Sequence, residues 1–329
     1  MKLSRRSMIA GSLALGLFRF SAAQAAAKSD GYIPGGAGRL HLIRRAGQGK
    51  PVLMVHPFSP GCAAAFDVPG LSWIEDLAGR GRDVWALDLR GFGGSDRPAE
   101  MERPPAEGRP VVRAKDGEAD VATAVTHILQ TTGASRIDVV GWSFGSVLAA
   151  MFSGARPELV ERLVLLGSMH AFDLPFMAEL FELPGHPGEL NPNMPAYRVV
   201  TPEAALGHWR LMRKDLPAAT VDEATVKLIE ATAQASDPAS APKIRQPTGP
   251  LVDLHEIWCG RPVWDAASIR ASVLVIRGSH DLFADHQLTA KLTSAAHVRE
   301  AVIPDATHWV LYEKQRGRLL AEAGDFLAG

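Results

Sequence analysis

The most informative segment of this chain is Ile137-Asp138-Val139-Val140-Gly141-Trp142-Ser143-Phe144-Gly145. It begins with an apolar run that is typical of a buried strand, and it leads into residues 144 to 154, whose pattern is typical of a helix. Ser143 lies in the turn between the two. Because side chains two residues before or after it would collide with neighbouring backbone, the flanking glycines predict a sharp, strained turn. Such a turn exposes the Ser143 hydroxyl above the sheet edge, as a nucleophile requires.

Short apolar runs alternate with helical patterns on both sides of this segment. Besides the run at 137–140, we expect strands at 40–43, 51–55, 84–88, 163–166, 273–276 and 298–303. Besides the helix at 144–154, we expect helices at 73–78, 120–129, 288–294 and 310–327. Runs that are apolar throughout suit strands buried on both faces of a parallel sheet. The predicted fold class is therefore α/β, with a mostly parallel sheet flanked by helices.

Residues 169–266 interrupt the alternation, because they contain many prolines and aromatic residues but little strand pattern. They include helix-sized segments at 202–212 and 221–235, and we interpret them as a helical cap inserted over the sheet. The predicted organisation is an export signal at 1–25, a core formed by 26–168 and 267–329, and this cap.

A serine hydroxyl needs a neighbouring base to act as a nucleophile at neutral pH. His308 lies in a loop between the predicted last strand and the predicted last helix, which is where such a base is needed. His297 and His280 lack this context, and we interpret them as packing or surface residues. His308 is therefore the predicted general base for Ser143.

A carboxylate is expected to hold the histidine in the correct tautomer. Asp281 follows the predicted strand at 273–276 at a distance from which it can reach His308. Asp285 and Asp173 stay open as alternatives for this role, while Asp305 could brace the histidine loop. The chain order of nucleophile, acid and base is then Ser143, Asp281, His308.

This order, with the turn around Ser143 and the alternating strands, resembles the α/β-hydrolase fold superfamily, and more closely its esterase-like branch with a helical cap. The resemblance implies an oxyanion hole formed by the backbone N–H groups of Phe58 and Phe144. It also implies that His56 braces the oxyanion loop, where Pro57 replaces the usual glycine. By the same resemblance, Asp88 belongs to a structural turn and not to the site.

The nucleophile narrows the reaction class. Relatives that open epoxides or displace halides attack with an aspartate, so Ser143 favours acyl transfer to water through an acyl-enzyme. The cap is rich in apolar residues, which form either a substrate pocket or plain cap core, and we expect a small, apolar carboxylic ester as substrate. These residues are Phe172, Phe176, Met177, Leu180, Phe181, Trp209, Met212, Trp258 and Trp264.

Two other functions stay open. A proline-iminopeptidase-like or other amide hydrolase would use acidic cap residues such as Glu179, Glu182 and Glu189 to bind a free amine. A non-catalytic binding protein on the same scaffold would not need Ser143, Asp281 and His308 together.

Charge and cysteine content limit the expected partners. The 329 residues include 35 Lys and Arg and 36 Asp and Glu, which gives no electrostatic reason to expect nucleic acid or an anionic membrane surface as a partner. We expect a small-molecule substrate, no cofactor and, because the sequence has no Cys/His cluster with zinc spacing, no metal. Cys62 and Cys259 either form one disulfide that ties the cap to the oxyanion loop or are two separate buried thiols.

The first 25 residues have the pattern of a bacterial export signal. Arg5-Arg6 precedes an apolar run from Met8 to Phe18, and Ala23-Gln24-Ala25 fits a small-x-small cleavage site. The apolar run has about half of the ~20 residues that a membrane-spanning helix needs, so we expect no stable membrane anchor. The paired arginines are typical of the twin-arginine route, which predicts a periplasmic or secreted protein.

Replacing Arg5-Arg6 by Lys-Lys should leave unprocessed protein in the cytoplasm, because an export receptor reads this pair as an address. Cell fractionation with N-terminal sequencing measures the result, and the mature wild-type chain should begin at Ala26. Normal processing of the double-lysine variant would rule out the twin-arginine route.

Overall fold

The computed structural model describes residues 27–58, 60–217 and 220–329, and the predicted export signal lies outside them. Its strands are β1 (Lys28–Gly35), β2 (Gly38–Arg45), β3 (Pro51–Val55), β4 (Asp83–Leu87), β5 (Ile137–Trp142), β6 (Val160–Leu166), β7 (Glu182–Leu183), β8 (His186–Leu190), β9 (Tyr197–Val200), β10 (Ile244–Pro247), β11 (Ser272–Gly278) and β12 (His297–Ile303).

One large sheet contains eight of these strands in the order β1-β2-β4-β3-β5-β6-β11-β12. β1, β2 and β4 pair antiparallel, and every pair from β4 through β12 is parallel. All residues of β3, β4 and β5 are buried, as expected for central strands covered on both faces. The predicted α/β fold class with a mostly parallel sheet is confirmed.

Helices cover both faces of the sheet and form much of the segment above it. They are α1 (Cys62–Phe66), α2 (Trp73–Gly79), α3 (Ala114–Thr132), α4 (Phe144–Ala155), α5 (Pro175–Ala178), α6 (Pro202–Ala205), α7 (Gly207–Met212), α8 (Glu223–Ala235), α9 (Gly249–Trp258), α10 (Leu288–Lys291) and α11 (Arg316–Ala328). Two apolar cores lie on opposite faces of the sheet. No helix in the described part of the chain is long and apolar enough to cross a membrane.

The predicted strands of the large sheet are all present, but β1 was missed. Seven of its eight residues are not buried, so it carries no apolar alternation that a sequence pattern could reveal. The single predicted helix at 310–327 is wrong. The chain forms a 3₁₀ turn at Val310–Tyr312, is extended at Glu313, and starts α11 only at Arg316. The Glu313 carboxylate accepts the Thr307 N–H of the preceding loop.

Residues 169–266 contain helices α5 to α9, but also two small two-stranded sheets, β7 with β8 and β9 with β10. The sequence pattern predicted helices alone here. Strand β8 contains Pro187 and Gly188 and is mostly exposed, so neither propensity nor alternation marks it. This segment supplies one wall of the cavity described below.

Candidate active site

The turn between β5 and α4 places Ser143 where the sheet ends. Ser143 has φ 57 and ψ −123, a strained backbone conformation for a residue with a side chain. The turn is possible only because both flanking positions are glycine. A Cβ on Gly145 would lie 2.1 Å from the Val55 carbonyl oxygen, and one on Gly141 would lie 2.5 Å from the Gly145 carbonyl oxygen. The crowding that the sequence predicted is present in the structure.

Asp281 and His308 form a buried pair. His308 Nδ1 lies 2.9 Å from both carboxylate oxygens of Asp281. The backbone N–H groups of Phe283 and Ala284 also donate to Asp281 Oδ1, at 2.9 and 3.1 Å, which fixes the carboxylate. When the Nδ1 proton is donated to Asp281, the Nε2 lone pair of the imidazole is left free to accept a proton.

The two alternative carboxylates have other partners. Asp285 Oδ2 lies 2.6 Å from Lys291 Nζ, and its Oδ1 accepts the Gln287 N–H at 2.9 Å. The backbone of Asp173 pairs with that of Cys259 in an isolated β-bridge. The structure therefore brings Asp281 to His308 and leaves both alternatives in other contacts.

The loop that carries His308 is held by Glu313, a residue that the sequence did not single out. The Glu313 carboxylate accepts the Thr307 backbone N–H at 2.8 Å and the Thr307 hydroxyl at 2.6 Å. The same carboxylate accepts the Trp209 indole N–H at 2.8 Å, which links the loop to α7. On the other side, the Trp142 indole N–H donates to the His308 carbonyl at 3.1 Å. These bonds fix the histidine backbone from two directions.

His56 braces the loop after β3, as expected. Its Nδ1 donates to the Pro57 carbonyl at 2.7 Å, and its Nε2 accepts the Leu89 backbone N–H at 3.1 Å. Burial lowers the pKa of His56, so the ring is neutral and both nitrogens are used. Pro57 and Phe58 then line the same cavity as Ser143. The N–H of Phe144 belongs to the first turn of α4, where backbone donors have no partner within the helix.

Ser143 and His308 share a cavity of about 340 Å³. Its other lining residues are mostly apolar and come from the loop after β3, the end of β5, the cap segment and the loops after β11 and β12. They are Pro57, Phe58, Trp142, Met169, Met177, Leu180, Phe181, Arg198, Ala204, Ala205, Gly207, His208, Leu211, Leu251, Leu254, Trp258, Phe283 and Trp309. None of these described residues is acidic.

The apolar residues singled out in the cap therefore divide into two groups. Met177, Leu180, Phe181 and Trp258 line the cavity, and Trp258 is also a buried member of one apolar core. Trp209, Met212 and Trp264 are buried in the apolar cores, Phe172 packs against one core, and Phe176 is exposed. Some of the apolar residues in 169–266 thus form the cavity wall, and others form the packed core.

Arg198 is the one strongly basic group among the lining residues, and sequence reasoning missed it. Its Nε donates to Gln246 Oε1 at 2.7 Å, and its guanidinium lies over the Phe58 ring at 5.3 Å from the centroid. Within the described residues it has no carboxylate at ion-pair distance. Burial lowers the pKa of Arg198, although an arginine stays charged in proteins. A cation without an acidic partner in an apolar cavity can bind an anionic ligand group.

His208 was missed by sequence reasoning as well, and it lies beside His308. Its ring centroid is 6.4 Å from that of His308, and its Nε2 accepts the Trp309 indole N–H at 2.9 Å. Burial, followed by the charges of His308 and Arg198, lowers the pKa of His208 to about 3. The ring is therefore neutral at ordinary pH. No spacing or motif in the sequence marks either His208 or Arg198, because both come from the cap.

Cys62 and Cys259 are free thiols, so the disulfide alternative is wrong. Cys62 is buried at the start of α1, where its backbone N–H donates to Asp88 Oδ1 at 2.6 Å. Asp88 Oδ2 also contacts His41 Nδ1 at 2.8 Å and accepts the Gly94 N–H at 2.9 Å. These bonds give Asp88 the structural role expected for it.

A family model described as alpha/beta hydrolase fold matches residues 50–199. The eight-stranded sheet, the strained serine turn and the Asp281–His308 pair agree with this match. The chain is therefore similar to the α/β-hydrolase fold family over residues 50–199, which are slightly under half of its 329 residues.

Part of the chain is similar in sequence to a curated bacterial hydrolase. The 2-hydroxymuconate semialdehyde hydrolase of Pseudomonas sp. (strain CF600) is 34% identical over 129 residues, which are 38% of this chain and 39% of that protein. The chain thus matches well under half the length of this curated relative.

Two solved structures share the fold over almost the whole chain. A serine hydrolase involved in carbazole degradation superposes with a TM-score of 0.62 at 18% identity. The superposition covers 92% of this chain and 99% of the carbazole-degradation enzyme. A thermophilic esterase from Thermogutta terrifontis superposes with a TM-score of 0.57 at 18% identity. The superposition covers 91% of this chain and 98% of the esterase.

Gly167 supports the Asp281–His308 pair and can be tested. A Cβ there would lie 2.7 Å from His308 Nδ1 and 3.0 Å from Asp281 Oδ2. Gly167→Ala should displace the imidazole and slow labelling of Ser143 by a fluorophosphonate by about 10²-fold. Gly185→Ala is the matched control, because Gly185 also has a positive φ but nothing within 4 Å of its Cβ position. Equal labelling rates in the two variants would contradict the steric role of Gly167.

Proposed function

We propose that this protein is a hydrolase that uses Ser143 as nucleophile, His308 as general base and Asp281 to orient His308. We further propose that it cleaves small, apolar carboxylic esters. The observation that carries the proposal is one cavity, lined by Ser143 from a strained turn and by a histidine whose Nδ1 is held by a buried carboxylate. The family and the names of its relatives support hydrolysis as the reaction class.

The proposed reaction has two halves. The Ser143 oxygen attacks the ester carbonyl carbon while its proton passes to His308 Nε2, and the negative charge on the carbonyl oxygen is stabilised by the N–H groups of Phe58 and Phe144. Each such donor contributes about 3 kcal/mol in comparable enzymes. The C–O bond then breaks as His308 returns the proton to the alcohol. Water, deprotonated by His308, hydrolyses the acyl-enzyme and releases the acid.

The composition of the cavity supports an ester in preference to a peptide with a free amine. An amine-recognising peptidase needs a carboxylate in the cavity, and no acidic residue is among the described lining residues. Of the acidic cap residues considered, Glu182 contacts His255 and Glu189 contacts His186. Glu179 is exposed and also lies outside the lining set. The iminopeptidase alternative is therefore the weaker proposal.

Ser143→Ala and His308→Ala should each reduce hydrolysis of p-nitrophenyl esters by several orders of magnitude. The double variant should lose little more, because the two residues act as one unit. Steady-state kinetics across a series of acyl-chain lengths, with proline and alanine arylamides alongside, measures both the loss and the substrate class. Losses that multiply in the double variant would contradict a shared mechanism.

Two matched carboxylate variants test the acid. Asp281→Asn should slow turnover by about 10⁴-fold with the fold intact, because the histidine loses its fixed tautomer. Asp285→Asn removes an equally buried carboxylate that pairs with Lys291, and it should stay near wild type. The reverse pattern would reassign the acid. Failure of a fluorophosphonate to label Ser143 in the wild type would instead favour the non-catalytic binding protein.

A second candidate is hydrolysis of a carbon–carbon bond next to a ketone in an acidic substrate. Arg198 favours it, because this uncompensated cation in the cavity suits a carboxylate. The similar Pseudomonas enzyme is named for a muconate semialdehyde, which is a carboxylic acid. The same serine, histidine and aspartate would serve this reaction, with a carbon acid as the leaving group.

Arg198 distinguishes the two candidates. Arg198→Met should raise KM at least tenfold for a substrate that carries a carboxylate and change kcat/KM for a neutral ester less than threefold, because only the former loses an ion pair. Arg210→Met is the control, since Arg210 is also in the cap but is paired with Glu203 and Glu230. An equal loss on both substrates would mean that Arg198 only shapes the cavity.

Export by the twin-arginine route stays a proposal. The periplasm or the cell exterior would then be where this hydrolase meets its substrate.

A further inference from the structure

A second group of reactive side chains lies in the cap segment, outside the lining of the Ser143 cavity. His255 in α9 and Cys259 at its end are four residues apart, so they lie on the same face of adjacent turns. Glu182, which starts β7 and precedes Cys259 by 77 residues, brings its carboxylate to the same place. The imidazole is fully buried, and the Glu182 side chain is 9% exposed.

The three side chains are close together, and the hydrogen bonds among them are the long, weak ones that involve the Cys259 sulfur. His255 Nε2 lies 3.4 Å from Glu182 Oε1, which is longer than a charge-assisted hydrogen bond. Cys259 Sγ lies 3.6 Å from His255 Nε2 and 4.0 Å from Glu182 Oε1. In a tetrahedral zinc site, the bond lengths for sulfur, nitrogen and oxygen place ligand atoms about 3.4 to 3.6 Å apart. Two of the three separations have these values, and the third is only a few tenths of an ångström longer.

A similar trio elsewhere in the protein shows what a hydrogen-bonded arrangement looks like. His41, Cys62 and Asp88 also lie within reach of one another. There His41 Nδ1 approaches Asp88 Oδ2 to 2.8 Å, which is an ordinary hydrogen bond and too short for two ligands of one ion. Asp88 is further occupied by the N–H groups of Cys62 and Gly94. In the cap trio the imidazole and the carboxylate are farther apart, at 3.4 Å, and Cys259 has long contacts to both and a further contact to Arg261.

We propose that Glu182, His255 and Cys259 bind one divalent transition-metal ion of the zinc class, with water in the fourth position. Thiolate, imidazole and carboxylate are all zinc ligands. The Cys259 thiol gives its proton to solvent when the metal binds, as metal-bound cysteines do. His255 Nδ1 lies 3.7 Å from Glu256 Oε1 and has no hydrogen bond within the described residues. A carboxylate beside the second nitrogen is the usual outer partner of a metal-bound histidine.

A metal ion bound at this site would stabilise part of the wall of the Ser143 cavity. Phe181 and Trp258, each next to a proposed ligand in the chain, stack with ring centroids 6.2 Å apart and both line the Ser143 cavity. A bound ion would join β7 to the end of α9 and hold these two rings together. This inference goes beyond the proposed hydrolase function and does not depend on it.

The test is titration of the full mature protein, reduced and metal-free, with Co²⁺ and with Zn²⁺. We expect one ion per chain, a thiolate-to-cobalt charge-transfer band in the near ultraviolet, and displacement of Co²⁺ by Zn²⁺. Cys259→Ser should abolish the band, and Glu182→Gln should weaken Co²⁺ binding at least tenfold. Saturating Zn²⁺ should raise the unfolding temperature of the wild type by roughly 5 °C and that of Cys259→Ser by much less.

His186→Ala is the matched control, because His186 and Glu189 form an exposed pair at 3.6 Å without a cysteine. It should keep both the band and the stoichiometry. Protection of Cys259 from alkylation by Zn²⁺ gives a second readout in the wild type, should a variant fail to fold. The proposal is overturned by a wild type without the band, by a band that survives Cys259→Ser, or by an alkylation rate that Zn²⁺ leaves unchanged. None of these readouts uses hydrolytic activity, so the proposed function stands or falls separately.

Discussion

The close approach of α4 to β3 is the constraint on which the site depends. The backbone at Gly145 passes so near the carbonyl groups of Val55 and His56 that no side chain fits between them. This contact forces the left-handed backbone of Ser143 and places the start of α4 beside the loop that carries Phe58. A strained serine, a helix N-terminus and the predicted oxyanion donors are thus consequences of one packing contact between a helix and a strand.

His56, His208 and His308 differ in their hydrogen-bond partners, and these partners determine what each ring can do. His56 has both nitrogens occupied by backbone groups and is kept neutral by burial, so it is a brace. His208 is neutral for the same reason and accepts a bond from Trp309. Among these three rings, His308 has a carboxylate at Nδ1, which stabilises the charge that arises when it accepts a proton. Of the three rings, His308 is therefore the one suited to the role of general base that we propose for it.

The cap segment and the core are joined through polar contacts as well as apolar packing. The buried Glu313 carboxylate binds Thr307 in the histidine loop and Trp209 in α7. A movement of α7 would therefore strain the loop that positions His308. On the opposite wall, Phe181 and Trp258 stack against each other next to the cluster of Glu182, His255 and Cys259. The shape of the cavity and the position of His308 thus depend on elements far apart in the chain.

The sequence by itself determined the fold class, the serine turn and the order of the candidate triad. These signals are local, since apolar runs, paired glycines and a histidine after a strand can be read within a few residues. Only the tertiary structure shows which of the three carboxylates contacts His308, because that depends on the distance between the side chains and on competing cations such as Lys291. Only the tertiary structure also shows that the two cysteines are unpaired and that Gly167 packs against His308 and Asp281. The same holds for the presence of Arg198 and His208 in the cavity. These features depend on contacts between segments tens or hundreds of residues apart, and no local pattern of side chains encodes such contacts.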